Sequence, residues 1–150
     1  MHEPKVILKN VEELIAKMEE SPYRHGHKVD MWSVCESLGI FDWWRNELSL
    51  SQLKQMRSFL KTTIKLGFDG YACFKVGAAG CAHGMWANKE KSTTGFSPDG
   101  ACIFHSFRSG DNYWGYCDSN NNWRHGDLTL KDVKECISND KGLVNNEEVK

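Results

Sequence analysis

The chain has 150 residues, 40% of them hydrophobic and 26% charged, with a formal net charge of -1. That length and balance suit one globular domain with a core of its own. They exclude the basic footprint of a phosphate-backbone binder, and no apolar run reaches the length of a membrane span, so neither nucleic acid nor a membrane is expected as a partner.

Residues 1–9 read as an extended lead-in with a short strand at Val6-Ile7-Leu8. They hold no apolar h-region and no small-residue cleavage site, so no signal peptide is expected and the cytoplasm is the expected location. The six cysteines are then read as free thiols packed as small hydrophobes, not as three disulfides. Asn10 is a candidate N-cap, and Val11, Leu14, Ile15 and Met18 follow as an apolar stripe at helical spacing. Pro22 should stop that helix.

Tyr23–His27 reads as a loop, and its two histidines have no nearby acid or thiol to complete a metal site. Asp30 is a candidate cap for a second helix through Leu38, closed by Gly39. Trp43 and Trp44 read mainly as core and staple, with a protein-contact role as one alternative. The clearest local signal comes next. Ser49 and Gln52 have capping-box spacing, Leu50, Leu53, Met56, Leu60 and Ile64 run down one face, and Gly67 ends the helix. Lys54, Arg57, Lys61 and Lys65 on the same helix read as a solvated face.

Residues 71–125 change character. Short apolar or aromatic runs alternate with turn chemistry at Gly77–Gly80, Ser97–Gly100, Ser109–Asp111 and Asp118–Asn121. That rhythm predicts an antiparallel meander. Thr129 can cap a closing helix through Ile137 that buries Leu130, Val133 and Ile137. The expected fold is α+β: a helical N-terminal half packed on a C-terminal antiparallel meander of four or five strands, with a closing helix. Residues 1–138 form the expected single domain, and the polar residues 139–150 a flexible tail.

Alternation along the strands leaves apolar or aromatic residues on both faces of the meander. Helices over one face would leave the other as a groove. The favoured function is therefore a non-catalytic binding module that holds a small molecule or an extended peptide. Its expected ligand-binding residues are Trp86, His105, Trp114, Tyr116 and Trp123, with the polar stretch Asn88–Gly100 as a lid. No cofactor is implied.

The enzyme alternative is a thiol hydrolase or transferase. In it Cys81 opens a short helix, His105 is the base, and Asp118 or Asn122 orients it. A zinc site from Cys81, His83 and His105, with Cys117 or Cys73 as a fourth ligand, lacks the usual Cys-x-x-Cys knuckles, and no metal is assigned. Val76–Gly80 lacks the Lys-Ser/Thr of a phosphate loop and reads as a tight turn. The third reading is a scaffold with a protein partner, held through Trp43 or Trp44.

Overall fold

The computed structural model describes residues 3–20, 28–30, 38, 40, 47–76, 82–91, 101–106 and 113–140. Its first element is a helix, α1 (Pro4–Glu20), where an extended lead-in was expected. Proline suits the first helical position, because its missing N–H has no partner there anyway and its φ is already helical. The Glu3 carbonyl accepts the first bonds, from the N–H groups of Val6 and Ile7 at 3.0 Å. Ile7, Val11, Ile15 and Met18 are all buried, so the stripe read from Val11 runs one turn further back, and Asn10 lies inside the helix.

Two short antiparallel strands follow, β1 (Lys28–Asp30) and β2 (Glu47–Ser49). The helix expected from residue 31 and the Trp43-Trp44 pair lie outside the described residues. Helix α2 (Leu50–Lys65) forms as its sequence dictates. Ser49 Oγ accepts the N–H of Gln52 at 3.2 Å, and Gln52 Oε1 accepts the N–H of Ser49 at 2.9 Å. At the other end Gly67 takes φ +84°, its N–H reaches the Ile64 carbonyl, and the N–H of Phe68 reaches that of Thr63. This is the Schellman arrangement, and it turns the fully buried Phe68 back toward the core.

The meander has five strands in sequence order, each antiparallel to the next: β3 (Tyr71–Val76), β4 (Ala82–Asn88), β5 (Cys102–Ser106), β6 (Tyr113–Cys117) and β7 (Trp123–Leu128). Helix α3 (Leu130–Asn139) follows the sheet. It starts on a second capping box, between Thr129 and Asp132. Val133 and Cys136 are its buried residues; Leu130 and Ile137, expected inside, are half-buried. The expected tail starts at 139. Asn139 instead ends α3, Asp140 is buried, and 141–150 lie outside the described residues.

The strand register assigns the faces. Phe74, Met85, His105 and Trp114 align across one face, with Ala72, Ala87, Ile103 and Tyr116 beside them. Helix α2 lies against this face and α1 packs on α2. Phe59 meets Phe74 edge-on at 6.2 Å and stacks on Trp114 at 5.9 Å, while Phe68 meets Tyr116 edge-on at 6.1 Å. Helix α3 packs on β6 and β7 from the same side, since it meets Tyr116 and Arg124. The opposite face carries Cys73, Trp86, Asn88, Cys102, Phe104, Tyr113 and Cys117.

Two bulges break the ladders. One residue of β3 faces two of β4 near His83. Near the end of the sheet, Trp114 pairs with Leu128 but Tyr116 with Arg124, so β7 carries two extra residues around Gly126, whose φ is +75°. Among the described residues, no helix is long and apolar enough to cross a membrane.

Candidate functional site

The residues expected to share one binding face do not share it. His105, Trp114 and Tyr116 lie on the helix side of the sheet. Trp86 lies on the opposite side, in a half-buried row with Phe104 (5.0 Å) and Tyr113 (6.0 Å from Phe104). Its ring covers Gly84, two residues back on the same strand. Trp123 is 44% exposed on the edge strand and, paired with Cys117, belongs to that side too. His105 is buried and lies flat on Trp114, 4.0 Å between centroids at 7°. Phe59 stacks on the same Trp114, so this histidine is part of the core under α2.

The thiol-enzyme reading loses its helix. Ala82–Asn88 is a strand where that reading needed a helix, and Cys81 itself lies outside the described residues. The metal constellation is divided by the sheet, with His105 on one side and Cys73 and Cys117 on the other. Among the described residues no three ligating side chains come together. Cys73, Cys102, Cys117 and Cys136 are free thiols. Burial pushes Cys73 up to about 12 and raises Cys102 and Cys117 as well. Such thiols are poor nucleophiles at neutral pH.

A different place collects polar groups. A cavity of about 210 Å³ opens where the β6–β7 turn meets the end of α3. Tyr116, Asp118, Asn122, Arg124, Cys136 and Asp140 border it. The turn is built by its own side chain: Asp118 Oδ1 accepts the N–H groups of Asn120 and Asn122, both at 2.9 Å. Asn121 supplies the left-handed residue at φ 64°, a conformation asparagine tolerates. This is why an Asp-Ser-Asn-Asn-Asn run folds here as a tight connection.

Asp140 ties the turn to the helix. Its carboxylate accepts the Tyr116 hydroxyl at 2.8 Å, the Ser119 N–H at 3.0 Å and the Ser119 hydroxyl at 2.6 Å. Burial, then the bond to Asp140 and its charge, raise the Tyr116 hydroxyl far above the usual phenol range, so it acts as a donor. Across the cavity Arg124 Nη1 donates to Cys136 Sγ at 3.2 Å. The site can therefore grip polar groups from fixed positions. Among the described residues no imidazole borders it, and the tyrosine proton is committed to Asp140.

Of the expected ligand-binding residues, only Tyr116 borders this cavity. Arg124, Cys136 and Asp140 were not anticipated. Asp118 and Asn122 were, in the different role of orienting a histidine. The one local signal was the Asp-Ser-Asn turn itself, a known side-chain-to-backbone device. No protein-family model matches the chain, and neither a curated protein nor a solved structure does.

Proposed function

We propose that this protein is a non-catalytic binding module whose site is the cavity between the β6–β7 turn and the end of α3, and whose ligand is a small polar molecule. The observation that supports it most is Asp140. This buried carboxylate fixes Tyr116 and Ser119, so the cavity wall is ordered before any ligand arrives. Preorganised polar groups lose little freedom on binding, which is how a small site reaches useful affinity. The volume, about 210 Å³, favours a ligand below drug size over an extended peptide. The free thiols fit a reducing compartment, and we read the cytoplasm as the location.

Amide NMR of the whole chain against a set of small polar fragments tests this. Saturable shifts at residues 118–124 and 136–140 are the expected result. Shifts confined to Trp86, Phe104 and Tyr113 would move the site to the aromatic row on the opposite face. No saturable shift anywhere would end the small-molecule reading.

A further inference from the structure

Charges of opposite sign stand at this cavity. Asp118 and Arg124 border the same small space, yet among the described residues no ion pair joins them. Each is held by something else. Asp118 Oδ1 is occupied by two backbone N–H groups, while its Oδ2 has no hydrogen-bond partner among the described residues. Arg124 gives one N–H to the Cys136 sulfur, a weak acceptor, and the rest of its planar fork has no hydrogen-bond partner there. The turn and the helix thus hold a carboxylate oxygen and an exposed guanidinium edge at one cavity, with no ion pair between them.

We infer that the cavity selects a zwitterion, a molecule of small α-amino-acid size that brings a carboxylate to Arg124 and an ammonium to Asp118. The inference rests on the binding reading above and names its ligand class. A guanidinium fork matches a carboxylate in two parallel bonds, whereas an ammonium is a compact point charge suited to a single carboxylate oxygen. An anion alone would leave Asp118 facing it, and a cation alone would leave Arg124 facing it. A zwitterion satisfies both, and Asn122 adds a neutral amide at the same cavity. Asp140 has a different task, since its oxygens already serve Tyr116 and Ser119.

The probes are L-alanine, with acetate and ethylammonium as its two halves, titrated into the whole chain and followed by amide and arginine side-chain NMR. L-Alanine should shift the Asn120 and Asn122 amides and the Arg124 side chain together, and bind at least about tenfold more tightly than either half. Asp118→Asn keeps the oxygen that builds the turn but removes the charge. It should bring L-alanine down to the affinity of acetate, and Arg124→Gln should bring it down to that of ethylammonium. A spectrum otherwise unchanged shows that each variant folds. Acetate or ethylammonium binding as tightly as L-alanine overturns the zwitterion but leaves a small-molecule site. So does silence from all three probes while neutral polar fragments still shift residues 118–124. Silence from every small molecule removes both readings.

Discussion

Replacing Asp140 by alanine strands three donors at once, the Tyr116 hydroxyl and both donors of Ser119. A donor left without a partner away from water incurs its desolvation cost uncompensated, so this change should destabilise the protein by about 2–4 kcal/mol in urea unfolding. Tyr116→Phe removes one of the three bonds and should cost about 1–2 kcal/mol. A double-mutant cycle should show coupling between the two, and strict additivity would contradict the shared bond. Nothing near Asp140 in the sequence announces this role. It follows Ser138-Asn139, in a stretch whose polarity reads as a tail, and its partners are 21 and 24 residues away. Tyr116 was legible as an aromatic but not as a donor, because a hydroxyl's partner is set by packing. The thiols give a second test at this scale. With limiting iodoacetamide, peptide mapping should find Cys136 labelled before Cys73, Cys102 and Cys117. Cys136 borders an open cavity, and burial keeps the other three protonated. Cys102 or Cys73 reacting first would contradict that order.

Helix α2 shows what local sequence determines. Its start and stop depend on contacts three to five residues long, so both ends were legible from Ser49, Gln52 and Gly67. Ser49→Ala should lower stability by about 1 kcal/mol, the usual cost of losing a cap, measured by chemical denaturation. The start of α1 was not legible, since Pro4 and Ile7 before a good N-cap residue also fit an extended segment. What settles it is burial of Ile7 in the core shared with α2, a long-range contact. The strands were legible because turn chemistry separates them. Their faces were not, because both sides are apolar and only the docking of α2 and α3 tells them apart. Close approach at Gly70 was equally hidden. A Cβ there would lie 2.3 Å from the Glu90 carbonyl carbon and 2.6 Å from the Lys89 oxygen, both backbone atoms. Gly70→Ala should therefore force the two segments apart and cost at least about 2 kcal/mol by the same measurement.

For the molecule as a whole, the buried acids give stability a direction in pH. Cys73 and Tyr71 are both pushed up to about 12, chiefly by burial, and Cys102, Cys117 and Tyr116 are raised too. Unfolded thiols titrate near the ordinary 9.0, well before the folded ones. Below that pH both states hold these protons, and the contribution to stability is fully present. As pH rises toward the folded values the unfolded chain releases protons first, so folding weakens. The melting temperature should hold between about pH 7 and 8 and then fall steadily toward about pH 10.5. Cys73→Ala should flatten that fall, whatever it does to stability at neutral pH. A melting temperature unchanged up to pH 10.5 would mean these groups meet water in the folded state. The α+β class, the meander and the closing helix were all legible at this scale, because they need only element types and order. The position of the cavity was not, since it depends on where the end of α3 lands on the sheet. That landing places the cavity beside the sheet's last strand, where the doubled bulge has a consequence for crowding. Among the described residues β7 pairs with β6 alone, and four of its residues span what two of β6 span. A second chain laid along β7 would meet amides and carbonyls in step for only a residue or two before the row falls out of phase. The strand is thus a poor template for growth, and the chain can leave Trp123 and Arg124 exposed on it without inviting its own copies to polymerise there.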